Sequence, residues 1–266
     1  MSVQWTDSLV DLGHNMQISI RMGRHSNQVE GKPTLVLLHE ALGTIRMWKD
    51  VPEELAEKTG CDVLVYERQG YGLSTPIELP RDDDYLIEEG EVWLPRLLNR
   101  LGLNQVILLG HSDGGSIALI GAATIPDKVC GVITEAAHIY IDHLTTAGII
   151  EAVERYKTTN LKERLARYLG DRTDTMFRAW HETWLRERKH PMDFRPWLPA
   201  IQCPALIIQG EDDQYGVKEQ VTDICSGIGA NAEPLFLPDC GHVPHFEARD
   251  KLVSAVADFI KLRVID

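Results

Sequence analysis

Apolar residues run along this chain in two rhythms, and the order in which they alternate predicts the architecture. "MQISIRMG" (16–23) alternates at the period of a strand, and "TLVLLHE" (34–40) is a short unbroken apolar run of the kind that forms a strand buried on both faces. "IRMWKDVPEELAEKTG" then shifts to helical spacing and closes on Gly60. "CDVLVYER" (61–68) is a second buried strand, followed by the glycine-punctuated turn "QGYGLSTP". Residues 84–101 read as a helix kinked at Pro95, followed by the strand "QVILLG", a helix over about 114–124 and the strand "VCGVITEA" (129–136). Strand and helix in strict succession imply an α/β fold with a mostly parallel, doubly wound sheet and helices on both faces.

The rhythm breaks between His138 and Pro199. This stretch is helical throughout, rich in Arg and Glu, and carries Trp180, Trp184 and Trp197. It reads as a helical cap (138–199) inserted into a core formed by 1–137 and 200–266. Strand patterns return with "PALIIQGEDD" (204–213) and "AEPLFLPDCGH" (232–242), before a last amphipathic helix over about 249–263.

Composition narrows the function classes. The 266 residues are 44% hydrophobic and 25% charged, the balance of a folded globular chain rather than a disordered one. A net charge of −13 disfavours nucleic acid and anionic membrane surfaces as partners, while a field of that sign favours small cations. No apolar run approaches the ~18 residues of a membrane span. The N-terminal "MSVQWTDSLVDLGHN" lacks the basic start and apolar core of a secretory signal, so a cytoplasmic location is expected. Cys61, Cys130, Cys203, Cys225 and Cys240 show no metal-type spacing and are expected to be buried free thiols. Neither a metal nor a cofactor fingerprint is present in the sequence, so no cofactor is expected, and the partner is a small-molecule substrate.

The sharpest chemical signal is "LLGHSDGGSIAL" (108–119), where Ser112 stands between a buried strand and a helix with Gly110 two residues before it and Gly114 two after. That context suits a strained strand-to-helix turn that lifts a nucleophilic hydroxyl over the sheet edge. A serine hydroxyl needs a base within hydrogen-bond reach and a carboxylate to orient that base. His242 follows a glycine at the end of a strand and is preferred over His245, which enters the last helical region. For the acid, Asp213 in the Gly-x-x-Asp turn 210–213 is preferred over Asp212, and Glu135 at the end of its own strand is a third candidate. The oxyanion of an acyl-transfer intermediate needs backbone donors. These are expected from the N–H of Asp113 at the helix start and from the loop "HEALG" (39–43), at Ala41. His39 is expected to brace that loop rather than to catalyse.

The pieces "LVLLHEALG", "VYERQGYGLS", "LLGHSDGGSIAL", "CPALIIQGEDD" and "CGHVPHFE", in this order and over nearly the whole chain, resemble the α/β-hydrolase superfamily. "GHSDGG" with "CPALIIQGEDD" is most similar to the biphenyl-hydrolase-like, or valacyclovir-hydrolase, group of serine esterases. The resemblance implies the catalytic triad Ser112, Asp213 and His242, an oxyanion hole from the amides of Ala41 and Asp113, and a cap over residues 138–199. It implies cleavage of carboxylic esters through an acyl-enzyme. In that group the aspartate after the nucleophile is associated with gripping a substrate ammonium, so the side chain of Asp113 would select α-amino acid esters; its alternative is to cap the helix. Hydrolysis of a C–C bond in ring-cleavage products and non-hydrolytic binding are the competing functions on this fold. The chain departs from the superfamily in one place: Glu40 follows His39 where glycine is usual. Glu40 is left with three readings, solvated, hydrogen-bonded beneath the loop, or facing the substrate.

Overall fold

The computed structural model describes residues 3–26 and 31–265; Met1, Ser2, residues 27–30 and Asp266 of the expected core lie outside the described residues. Eight strands form one sheet in the order β1-β2-β4-β3-β5-β6-β7-β8. They are β1 (Val3–Asp11), β2 (Gln17–His25), β3 (Thr34–Leu38), β4 (Val63–Glu67), β5 (Val106–His111), β6 (Val129–Glu135), β7 (Ala205–Gly210) and β8 (Ala232–Leu237). β2 pairs antiparallel with both β1 and β4, and every other pairing is parallel. The chain therefore has the mostly parallel α/β architecture that its rhythm implies.

The period-2 geometry of a strand explains why the central strands carry apolar residues at successive positions. Val36, Leu64, Leu108, Val132 and Ile207 point to one face of the sheet, and Leu35, Leu37, Val63, Val65, Leu109 and Ile133 to the other. Helices α1 (Val51–Thr59) and α10 (Arg249–Phe259) cover the second face with Leu55, Leu252, Val256 and Phe259. On the first face lie α2 (Tyr85–Glu88), α3 (Leu94–Arg100), α4 (Asp113–Thr124) and α8 (Glu219–Ile228). Truncating a fully buried strand residue such as Leu37 to Ala costs about 2–5 kcal/mol, transfer plus cavity.

Between β6 and β7 come the helices α5 (His143–Thr158), α6 (Leu161–Leu169) and α7 (Thr173–Leu185). Ile149, Leu165, Met176, Phe177 and Trp184 of this segment join the apolar cluster of the first sheet face, so the helices share a core with the sheet instead of closing around one of their own. A short helix, α9 (Pro244–Glu247), precedes α10.

Several local expectations shift. β1 does not stand out in the sequence, because as an edge strand most of its positions face solvent and its apolar signal is weak. α8 was likewise not singled out. The segment 45–60 divides into a 3₁₀ turn (Ile45–Trp48) and α1, separated by Lys49 at φ 50°. Pro95 changes the winding of its helix: a π-helical stretch, Glu89–Trp93, comes immediately before α3, where Pro95 occupies the first turn and its missing N–H leaves no donor unpaired. Of the five thiols, Cys61, Cys203 and Cys240 are buried, and Cys130 and Cys225 are half-buried. No helix among the described residues is long and apolar enough to cross a membrane.

Candidate active site

Parallel strands deliver their carboxyl ends to one edge of the sheet, and the residues singled out in the sequence arrive there from β5, β6, β7 and β8. Ser112 follows β5 with φ 52° and ψ −116°, a backbone conformation that L-residues rarely adopt. The turn is held by the Ser112 N–H, which donates to the Glu135 carbonyl (2.8 Å), and by the N–H groups of Gly115 and Ser116, which donate to the Ser112 carbonyl. It closes so tightly that a Cβ on Gly110 would lie 2.0 Å from the Gly114 carbonyl oxygen, and one on Gly114 would lie 2.0 Å from that of Leu38. The flanking glycines are required by backbone contact, which no side chain can accommodate.

The Ser112 hydroxyl lies 3.1 Å from His242 Nε2, and His242 Nδ1 donates to Asp213 at 2.9 and 3.1 Å to its two oxygens. Burial works against the charged form of Asp213, but His242 and the Tyr215 N–H (2.8 Å) outweigh it and hold the carboxyl below its ordinary pKa. Asp212 is exposed. Glu135 does not reach His242: its Oε2 accepts from His245 Nδ1 (2.8 Å) and from the His245 N–H (3.2 Å), deep in the interior. Of the candidates weighed in the sequence, the structure thus brings Ser112, His242 and Asp213 into one hydrogen-bonded chain. His245 and Glu135 form a separate pair.

Ala41 and Asp113 flank the serine. No acceptor for the N–H of either residue is found among the described residues. Ala41 is anchored through its carbonyl, which accepts from the Tyr71 hydroxyl. His39 braces the same loop: Nδ1 donates to the Glu40 carbonyl (2.7 Å), and Nε2 accepts from the Arg68 N–H (3.1 Å). Burial, reinforced by Arg68, lowers the His39 pKa to about 3, so the ring is neutral, as that pattern of one donor and one acceptor requires. Glu40 has no positive φ, so the loop accommodates a side chain where glycine is usual. Its carboxylate is 16% exposed and lies 3.4 Å from His111 Nδ1.

The Asp113 side chain is 1% exposed. Its Oδ2 accepts from the Tyr85 hydroxyl (2.6 Å) and from both terminal nitrogens of Arg68 (3.4 and 3.5 Å). Burial and the Asp113 charge push the Tyr85 pKa well up, so the phenol stays a donor. Trp184 Nε1 in turn donates to the Tyr85 oxygen (2.9 Å), which links α7 to the start of α4. No local signal in the sequence points to Tyr85, or to the part Arg68 plays; they are 28 and 45 residues from Asp113, and only the crossing of the chain brings them together.

A cavity of about 510 Å³, counting its open mouth, lies over the serine. The sheet edge contributes Glu40, Ala41, Leu42, Ser112, Asp113, Tyr215 and His242, and the segment between β6 and β7 contributes His138, Thr145, Ile149, Trp180 and Trp184. Its walls are mainly apolar and aromatic, and neither Lys nor Arg is among the residues that line it.

A strained serine at the end of β5 in a hydrogen-bonded chain with a histidine after β8 and an aspartate after β7 is the arrangement of a serine hydrolase built on a doubly wound sheet. The family model described as "Alpha/beta hydrolase family" matches residues 35–255, and the chain belongs to that family. Among curated proteins, the human "Serine hydrolase BPHL" is 28% identical over 205 residues, covering 75% of this chain and 69% of that protein. A proline iminopeptidase of Lactobacillus delbrueckii subsp. bulgaricus is 25% identical, covering 85% and 89%. A 2-hydroxy-6-oxononadienedioate/2-hydroxy-6-oxononatrienedioate hydrolase of Klebsiella pneumoniae is 25% identical, covering 87% and 88%. The fold is shared with the solved serine hydrolase CCSP0084 of Cycloclasticus zankles, at a TM-score of 0.77 with 16% identity over 97% of this chain and 98% of that one. The resemblance to biphenyl-hydrolase-like serine hydrolases read in the sequence motifs is supported by these relatives.

Proposed function

We propose that the protein hydrolyses carboxylic esters of small molecules through an acyl-enzyme on Ser112. The observation that carries this reading is the hydrogen-bonded chain Ser112–His242–Asp213, beside a mainly apolar cavity open to solvent at its mouth. Ser112 Oγ attacks the acyl carbon as His242 Nε2 takes its proton, and the developing oxyanion is met by the N–H groups of Ala41 and Asp113. The C–O bond to the alcohol breaks and His242 returns the proton to the leaving oxygen. Water then repeats the sequence on the acyl-enzyme and frees Ser112. Asp213 keeps the imidazole in the tautomer that presents a bare Nε2 to the serine.

The acyl group that suits this cavity is neutral and apolar. An α-amino acid ester would need Asp113 to bind its ammonium, yet that side chain is 1% exposed and its Oδ2 is already met by Arg68 and Tyr85, so a cation at Oδ1 would face the Arg68 guanidinium across the same group. The C–C bond hydrolysis named for the Klebsiella relative is the second reading. A dianionic substrate of that kind would find neither Lys nor Arg among the residues lining the cavity to meet its carboxylates, so the ester is favoured.

The test is a panel of short-chain nitrophenyl esters, a matched pair of aminoacyl and des-amino esters, proline nitroanilide and a ring-cleavage dienoate, each run on wild type and Ser112→Ala. Turnover of neutral esters that falls by ~10⁴-fold or more in Ser112→Ala supports the reading. Full activity in Ser112→Ala overturns the mechanism, and preference for the aminoacyl ester over its des-amino partner overturns the assignment of a neutral acyl group.

A further inference from the structure

His111 is the last residue of β5, its side chain is 1% exposed, and the acyl-enzyme chemistry leaves it without a role. Its two ring nitrogens have different neighbours. Nε2 lies 2.8 Å from the backbone carbonyl of His242, and because a carbonyl only accepts, Nε2 carries a proton. Nδ1 lies 3.4 Å from Glu40 Oε2, an ion-pair distance rather than a well-formed hydrogen bond. A singly protonated ring, itself almost wholly buried, would therefore turn a lone pair towards a carboxylate, a repulsive contact. A second proton on Nδ1 converts it into an attraction.

We propose that Glu40 and the His111 imidazolium form a positioning pair that ties the oxyanion loop, the nucleophile turn and the His242 loop into one unit. The proposal rests on the ester-hydrolase reading of Ser112. Glu40 immediately precedes Ala41, His111 immediately precedes Ser112, and the carbonyl held by His111 belongs to His242 itself. The loop is wrapped closely around the carboxylate: a Cβ on Gly43 would come within 2.3 Å of Glu40 Oε2. This also explains how the chain tolerates a glutamate beside its oxyanion donors. An uncompensated carboxylate there would oppose the oxyanion, and the His111 charge cancels it.

The other groups facing the pair agree with this charge state. Glu135 approaches from β6 but is engaged by His245; the His245 ring lies 4.8 Å from His111 and the His242 ring 5.2 Å, and neutral His39 stands beside Glu40. Burial opposes a charge on His111, but Glu40 and then Glu135 outweigh it and raise its pKa to about 9; burial likewise opposes the Glu40 charge, and His111 overrides it, lowering that pKa to about 2. Because the folded pKa of His111 is raised, the bracing is present at neutral pH and is lost as pH rises through about 9.

The experiment compares wild type, Glu40→Gln and Glu40→Ala in two readouts. The first is the pH profile of kcat and KM on a neutral nitrophenyl ester, and the second is a ¹⁵N-histidine NMR titration that needs no turnover. Wild type should lose kcat on an alkaline limb near pH 9 and show a buried imidazolium that persists above pH 8. Glu40→Ala should lower kcat at pH 8 by roughly ten- to a hundredfold, the worth of one charge-assisted contact, with KM moved less than about threefold. Glu40→Gln fills the same space and should lose only about threefold, while abolishing both the alkaline limb and the persistent imidazolium. An alkaline limb unchanged in Glu40→Gln, or no imidazolium above pH 8 in wild type, overturns the proposal. If Glu40→Ala fails to fold, Glu40→Gln still decides it. If wild type turns over none of the esters, the reading of Ser112 fails on its own, and the titration still reports on the pair.

Discussion

Two buried acid–histidine pairs lie side by side at the carboxyl edge of the sheet, and they are nearly identical in their bonds. Asp213 holds His242 at 2.9 Å, and Glu135 holds His245 at 2.8 Å. What separates them is the far side of each ring. His242 presents Nε2 to the Ser112 hydroxyl and keeps 10% of its side chain exposed at the cavity, whereas His245 is 1% exposed and packs against Trp48 and His111. Glu135 also accepts the His245 backbone N–H and so fastens the start of α9. An acid–histidine bond is thus not by itself a catalytic device. In the reaction proposed for this site, access to the cavity and a serine hydroxyl on the second nitrogen suit one pair to catalysis and leave the other a clamp.

The comparison can be broken at either pair. The largest effect is expected from Asp213→Asn, which keeps the shape but disturbs the tautomer of His242: esterase kcat should fall by about 10³–10⁴-fold, with the melting temperature lowered by no more than about 3 °C. Glu135→Gln should do the reverse, lowering kcat by less than about tenfold while removing roughly 2–3 kcal/mol of stability, read as a fall of about 5–10 °C in melting temperature. If Glu135→Gln were as inactive as Asp213→Asn while still folded, the two pairs would be one catalytic network. A smaller effect is expected from His245→Asn, which strands the Glu135 carboxylate: a melting temperature lowered by several degrees, with acylation of Ser112 by a fluorophosphonate still proceeding at a rate within about fivefold of wild type.

The smallest effect is in the pH dependence of stability. The Asp213 pKa is lowered in the folded state from an ordinary value of 3.8, so its contribution to stability is fully present above that value and is lost as pH falls through the depressed one. Urea denaturation of wild type and Asp213→Asn should therefore show a gap at pH 6 that narrows below about pH 4. A gap that widens on acidification would mean that the carboxylate is strained rather than stabilised by His242.

Much of this site was legible in the sequence because its signals are local. The Ser112 turn is announced by glycines whose absent side chains are demanded by backbone contact, within the turn for Gly110 and against Leu38 of the neighbouring strand for Gly114, and their spacing is written within five residues. Asp213 and His242 could be preferred because each follows a strand that ends at the same sheet edge. The partners of Asp113 and Glu40 had no such signature. Glu40 alone is compatible with three readings, and the residue that its carboxylate approaches is a histidine 71 positions away in the chain, reached because β3 and β5 are neighbours in the sheet. The same holds for Asp113, whose carboxylate was open to a substrate cation in the sequence and is met by Arg68 and Tyr85 in the fold.

Period, glycine placement and strand ends are properties of neighbouring residues, and they suffice for the alternation of strands and helices, the turn that strains Ser112, and the sheet edge where acid and histidine arrive. Which acid meets which histidine, the lining of the cavity by Trp180 and Trp184, and the approach of Glu40 and Asp113 to His111 and Arg68 follow from the folded chain. Those outcomes depend on distances between residues far apart in the chain. Charge and hydrogen-bond capacity are written in each residue, but their partners are chosen by packing.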